Sequence, residues 1–258
     1  MSSSLVLANV TNRLAVLTLN QPEKRNALSR PLLEELGARL TEIGADPGIH
    51  VVILGAAGPV FSSGHDLREL VGKKEEEYTS LFALCTEVME ALRQLPQPVI
   101  AQVQGLATAA GCQLVASCDL VVASEQAAFA TPGVKIGLFC TTPAVPLCRA
   151  VLPKKALEML LTGQPISARE AERAGLVNRV VPADRLAQET VDLASQIAAA
   201  SARVVALGKK AFYQQLPLNY PAAYVLAQKV MVGNALGPPA QEGITAFFEK
   251  RAPRWDDG

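Results

Sequence analysis

The 258-residue sequence has no net charge, two histidines and no C-x-x-C pair. Each shortage excludes a class. Lys plus Arg and Asp plus Glu both number 24, so no broad basic field exists to attract nucleic acid or an acidic membrane surface. The same balance gives weak protection against self-association. Two histidines make a His-built metal centre a poor reading, and no metal site is expected. The five cysteines, Cys85, Cys112, Cys118, Cys140 and Cys148, are odd in number. That argues against a disulfide framework or a zinc site and for a reducing compartment.

Long apolar runs are also missing. The most apolar region, about 98–124, is interrupted by Gln102, Gln104, Gln113 and Asp119, which reads as buried core and not as a membrane span. The start, MSSSLVLANV, has neither a basic n-region nor an apolar stretch of signal-peptide type. The expected location is therefore cytoplasmic for a bacterial-type chain, or the mitochondrial matrix for a processed eukaryotic one.

What is present is a globular α/β pattern. Half of the residues are hydrophobic, enough for one large core. Residues 5–9 and 13–19 read as a hairpin joined by Val10-Thr11-Asn12. Ser29 reads as the N-cap of a helix over 30–43. Strands are expected over 49–56, in PQPVIAQVQG, in DLVVAS and in NRVVP, with helices over 80–95, 154–162 and from Ser167. The segment 129–143 reads as a long loop, and residues 68–82 as a mobile border of a pocket. Strand signals stop after about 182, and helical pattern continues over 184–200, 203–214, 220–234 and 240–250. This divides the chain into an α/β core, residues 1–190, and a helical C-terminal region, residues 191–258.

GLATAAGCQLVASCDL, residues 105–120, places five small residues where a strand hands over to a helix. A helix start carries backbone N–H groups without partners, and small side chains let a ligand oxygen reach them. The loop Phe61-Ser62-Ser63-Gly64-His65-Asp66-Leu67 has the same form. Two such loops can place two N–H donors around one oxygen, which suits an enolate or a tetrahedral oxyanion. Tight helix–sheet packing accounts for the same residues equally well. GLATAAG lacks the G-x-G-x-x-G pattern, so a dinucleotide fold is not indicated.

The ordered set LTLNQPEKRNALS, FSSGHDL, VIAQVQGLATAAGCQLVASCDLVVAS, FATPGVKIGL, LTGQPISAREAERAGLVNRVVP and GITAFFEKR, over about 5–252, resembles the crotonase superfamily, the enoyl-CoA hydratase/isomerase family. It is most similar to members with GHDL and GLATAAGCQL variants. The resemblance implies a spiral of β-β-α units with a helical trimerisation layer. It implies an acyl-CoA thioester as ligand, no tightly bound cofactor, and a homotrimer or dimer of trimers. The oxyanion donors it implies are the backbone N–H groups of His65 and Ala110. It places coenzyme A beside Lys24, Arg25 and Ala27, along Ser62, Ser63, Gly64, Asp66 and Leu67, at Gly111, and near Phe247 and Lys250.

Two positions depart from that pattern. Family hydratases carry a glutamate on the helix after the small-residue turn, where this chain has Gln113. A second follows the proline of F-x-x-P-E, where Phe129-Ala130-Thr131-Pro132-Gly133 has Gly133. An amide has no proton equilibrium near neutrality and glycine has no side chain. Each lost acid–base group is worth about 10²–10⁴ in rate. Simple hydration is therefore not expected, and Cys140 is the remaining candidate acid, base or nucleophile on the loop. His65 is expected to serve through its backbone, Asp66 as a helix cap, Cys112 and Cys118 as packing, and Asp119 structurally. The sequence leaves two functions open: a crotonase-type lyase or isomerase of unusual chemistry, or an acyl-CoA-binding regulatory protein with little turnover.

Overall fold

A computed structural model describes residues 4–255. Strands β1 (Val6–Thr11) and β2 (Leu14–Leu19) form the expected hairpin. Its turn lies at Asn12-Arg13, both with positive φ, one step later than the sequence suggested. Asn takes that left-handed conformation more readily than most residues. Helix α1 (Arg30–Gly44) follows Ser29. Ser29 caps it through its carbonyl, which accepts the Leu33 N–H at 2.9 Å, and not through its hydroxyl.

A three-part unit then repeats. Strand β3 (Val51–Ala56), strand β4 (Val60–Ser62) and helix α2 (Glu75–Gln94) make the first turn of a spiral. Strand β5 (Val99–Val103), strand β6 (Leu106–Thr108) and helix α3 (Ala110–Ser117) make the second. Strand β7 (Leu120–Ser124), strand β8 (Ala128–Ala130) and helix α4 (Thr141–Ala150) make the third. Helix α5 (Pro153–Thr162), strand β9 (Ile166–Ser167), helix α6 (Ala168–Ala174) and strand β10 (Arg179–Val181) complete the core.

The first strand of each unit joins one sheet, in the order β1-β2-β3-β5-β7-β10, and the second joins another, β4-β6-β8-β9. Apart from the β1–β2 and β8–β9 pairs, neighbouring strands are parallel. Both faces of the larger sheet are covered, as parallel strands require. One face joins the main core, with Leu17, Leu54, Val99 and Leu114. The other packs Val51, Ile53, Ile100 and Val122 under helix α7 (Leu186–Ala198).

Two expectations need correction. Residues 129–143 are not all loop, because β8 and the first turn of α4 lie within them. Helix α2 begins at Glu75 and not at Ser80, with Glu75, Glu76 and Glu77 in its first turn. Carboxylates favour that end of the helix dipole.

Helices α8 (Ala202–Gln215), α9 (Tyr220–Ala235) and α10 (Pro238–Phe248) extend beyond the core. Helices α8 and α9 have no fully buried residue, while Tyr220, Tyr224, Val225, Met231, Leu236 and Phe247 are exposed. Exposed apolar residues in this number are the composition expected of an interaction surface. Helix α8 is fixed to the core by charge. The Lys209 Nζ lies 2.6 Å from Asp119 Oδ2 in a nearly buried pair. Asp119 also accepts the Tyr213 hydroxyl at 2.8 Å and the Val99 N–H at 2.7 Å. Burial pulls the Lys209 ammonium below its ordinary pKa, although Asp119 opposes this.

Candidate functional site

Two loops meet beside the smaller sheet. One leaves β4 through Ser63-Gly64-His65, and the other leaves β6 through Ala109 into α3. Gly64 has φ +87°, and a Cβ there would stand 2.9 Å from Ala109 Cβ, 3.0 Å from Thr108 O and 3.2 Å from Ala110 N. Glycine is required both by conformation and by space. The Gly64 carbonyl accepts the Leu28 N–H at 2.8 Å, which fixes the loop's path.

Ala109 has φ 50° and ψ −118°, a region that costs a non-glycine residue about 1–3 kcal/mol. Flanking bonds hold it there. Its N–H donates to Ala130 O at 2.9 Å, and its carbonyl accepts the Gln113 N–H at 3.0 Å. The next amide, at Ala110, heads α3. Among the described residues, neither the Ala110 N–H nor the His65 N–H has a protein acceptor. Two unused donors on abutting loops can bind one partly negative oxygen.

Ser62 and Asn26 tie this arrangement together. The Ser62 hydroxyl donates to the Asn26 carbonyl at 2.8 Å and accepts the Gly64 N–H at 3.3 Å. The Asn26 side-chain amide donates to Ala57 O and Val60 O, both at 2.8 Å, while its Oδ1 accepts the Gln21 N–H at 2.9 Å. On the opposite side Gly111 packs against Ser62, where a Cβ would come within 2.5 Å of the Ser62 carbonyl oxygen. Asn26 was absent from the sequence reading. Its left-handed φ of 49° is the only local sign, since asparagine favours that conformation.

The second half of the site is uncharged. Gln113 is 4% exposed and its Oε1 has no partner. Thr131 is 0% exposed and its Oγ1 also has no partner. Thr131 follows Ala130, so it starts its turn next to Ala109. Sequence reasoning passed over it, because nothing in FATPG distinguishes a buried hydroxyl from an exposed one. Gly133 is sealed: a Cβ would meet Leu138 O at 2.5 Å and Cys140 Sγ at 2.8 Å. The Cys140 thiol fills the place of a side chain at 133. Burial raises its pKa, against an opposing hydrogen bond from the Gly133 backbone. Burial also lifts Cys112 to about 12, and Cys140 adds to that shift. Both are therefore thiols at neutral pH.

The His65 ring turns towards the Leu28 carbonyl, with Nδ1 at 3.3 Å, and meets Phe82 edge-on at 5.5 Å. Burial lowers its pKa, so the neutral imidazole is favoured. Asp66 caps the 3-10 turn at residues 67–70 by accepting the Arg68 N–H at 3.0 Å.

The proposed coenzyme contacts divide into two groups. Ala27, Ser62, Ser63, Gly64 and Gly111 lie at the loop junction, with Lys24, Arg25 and Leu67 exposed around it. Phe247 and Lys250 are not brought there by this subunit's packing. Phe247 is 78% exposed, and α10 packs against α9. Two cavities, of about 610 and 690 Å³, lie where α8 leaves the core and share Arg93 and Tyr213, and one of about 510 Å³ lies beside the loop after His65, between Arg30, Glu69 and the start of α2. Among the described residues, no cluster of three or more His, Cys, Asp or Glu could hold a metal, and no single helix is long and apolar enough to cross a membrane.

The model of the enoyl-CoA hydratase/isomerase family matches residues 9–258. The chain is 53% identical to the mitochondrial enoyl-CoA hydratase domain-containing protein 3 of Rattus norvegicus over 240 residues, 93% of this chain and 80% of that one. Identity to the human counterpart is 52%, covering 93% and 79%. The crystal structure of human enoyl-CoA hydratase domain-containing protein 3 matches with a TM-score of 0.96 at 49% identity, covering 98% of this chain and all of that one. A crystal structure of a Mycobacterium smegmatis enoyl-CoA hydratase also gives 0.96, at 46% identity, covering 98% and 99%.

Proposed function

The chain belongs to the enoyl-CoA hydratase/isomerase family, and on that footing we propose that it binds an acyl-CoA thioester and polarises its carbonyl between the N–H groups of His65 and Ala110. The observation carrying this reading is the pair of unused amides on loops that abut through Gly64. Preorganised donors of this kind stabilise charge developing on a carbonyl oxygen, and one donor is typically worth about 10²–10³ in rate.

Hydration of a double bond fits the site poorly. Water addition needs a base at the water and an acid at the α-carbon. Gln113 supplies neither, and the position of Gly133 is occupied by the Leu138 carbonyl and the Cys140 thiol. The enzymatic reading is therefore a thioester enolate chemistry that differs from simple hydration. The alternative, an acyl-CoA-binding regulatory protein, is supported by the amide at Gln113 and the glycine at 133, which leave both positions without a carboxylate.

The exposed apolar faces of α8 to α10 support a homotrimer or a dimer of trimers, with Phe247 and Lys250 reaching a neighbouring subunit's site. The mitochondrial relatives support the organellar location over the cytoplasmic one. Calorimetry tests the ligand assignment. Butyryl-CoA should bind more tightly than the thioether S-butyl-CoA, which lacks the carbonyl. Equal affinities contradict the proposal, and rapid crotonyl-CoA hydration by the unaltered protein contradicts its chemical half.

A further inference from the structure

We infer that the cavity of about 610 Å³ beside α8 is a second binding site, for a small organic anion: a carboxylate or phosphate ester carrying an apolar body. Its volume falls within the roughly 300–1,000 Å³ of ordinary ligand pockets.

The cavity lies away from the paired amides. Helix α3 has Ala110 at its head, beside Gly64, and Ser117 at its tail, in the cavity wall. The two ends are roughly 10 Å apart along the helix. The other walls come from the last turns of α2 and α4, the segment after α6 and the end of α8.

The polar lining is a set of donors whose neighbouring acceptors are already used. Asp119 is the one carboxylate among the described lining residues. Its Oδ2 takes the Lys209 ammonium at 2.6 Å and the Val99 N–H at 2.7 Å, and its Oδ1 takes the Tyr213 hydroxyl at 2.8 Å. Asn178 Oδ1 accepts the Val121 N–H at 2.7 Å. That bond requires the oxygen on that side, so it fixes the orientation of the amide. The Asn178 amide nitrogen is left as a donor in the wall.

Two guanidinium groups join it. Arg93 reaches Glu90 only at 3.6 Å, too long for a hydrogen bond, and stacks over the Tyr213 ring at 4.9 Å. Its Nε has no partner. A cation is favoured at a helix C-terminus, but the Leu92 carbonyl there is taken by Lys209, at 2.8 Å. Arg149 donates to the Val145 carbonyl at 2.7 Å, and among the described residues no carboxylate pairs with it.

Lys209 neutralises Asp119, so Arg93 and Arg149 stand in this cavity without a countercharge, in a chain whose net charge is zero. Guanidinium groups bind carboxylates and phosphates through paired charge-assisted hydrogen bonds. Beside them Pro146, Leu176, Phe212 and Leu216 give an apolar wall, which suits an anion with an apolar body and not a bare inorganic ion.

The test is calorimetry on the intact protein with octanoate and octyl phosphate, and with octanol and octylamine as neutral and cationic controls. At least one of the two anions should bind, and more tightly than either control. Arg149→Gln should lower that affinity about 10-fold or more. Asn178→Asp keeps the acceptor for the Val121 N–H but adds a negative charge, and should abolish binding. Gly64→Ala should leave anion affinity unchanged while weakening butyryl-CoA, which separates this site from the thioester site. Octanol or octylamine binding as tightly as the anions overturns the inference. So does anion affinity that is lost in Gly64→Ala and kept in Asn178→Asp. A fall in sedimenting mass in Arg149→Gln also overturns it, because an acidic group of a second copy would then be the occupant.

Discussion

The Ala110 nitrogen lies 3.2 Å from the point where a Cβ on Gly64 would stand. The two residues are 46 positions apart, and their loops close only because Gly64 has no side chain and a φ of +87°. Gly64→Ala should therefore push the loops apart. Affinity for butyryl-CoA is expected to fall at least about 10-fold, or roughly 1.4 kcal/mol, with little loss in affinity for free coenzyme A. Titration calorimetry with both ligands checks this.

Restoring glutamates should not restore a hydratase. Gly133→Glu brings a Cβ to within 2.5 Å of the Leu138 carbonyl oxygen, an overpacking worth about 1–3 kcal/mol. Removing the neighbouring thiol with Cys140→Ala leaves that carbonyl in place. Gln113→Glu alone is expected to hydrate crotonyl-CoA faster than the Gln113→Glu/Gly133→Glu pair, as read by loss of the conjugated enoyl absorbance.

The buried pair of Lys209 and Asp119 gives a stability prediction. Lys209→Met leaves Asp119 buried with the Tyr213 hydroxyl and the Val99 N–H but no cation. Breaking one side of such a pair costs about 3–5 kcal/mol. Tyr213→Phe should cost less, about 1 kcal/mol, because one hydrogen bond is lost. Urea midpoints should fall in that order without a change in slope.

His65 predicts a pH dependence. Burial lowers its folded pKa below the ordinary value of about 6.5, so the folded state favours the neutral ring. The unfolded chain binds the proton first as pH falls. Stability tied to this group is therefore complete above about 6.5 and is lost as pH drops through 6.5 to the lower folded value. A His65→Gln variant should show a flatter stability profile over that window, measured by thermal unfolding at successive pH values.

Much of this was readable in the chain, and the failures have physical causes. The hairpin, the alternation of strands and helices, and the capping box at Ser167 and Glu170 follow from local pattern; the last has the Ser167 N–H at 2.8 Å from Glu170 Oε2. Helix α4 was hidden by Pro143 and Pro146, which suggest loop. Pro143 lies in the first turn, where its missing N–H has no helical acceptor. The small residues at 64 and 109–111 indicated where the two loops approach, because a required close approach leaves a compositional mark. Asn26 acts through hydrogen bonds to Gln21, Ala57, Val60 and Ser62, contacts between distant segments that no single stretch of sequence records. The exposed apolar faces of α9 were equally legible only in structure, since its helical pattern has no polar side. A Val225→Glu/Met231→Glu variant should sediment as a monomer if those faces join copies of the chain.

The most direct test is infrared spectroscopy of butyryl-CoA carrying ¹³C at the thioester carbonyl. On binding, the C=O stretch should move to lower frequency, and Gly64→Ala should abolish most of that movement. A bound ligand whose carbonyl stretch stays at its solution value would contradict the central claim, as would a full shift retained in Gly64→Ala.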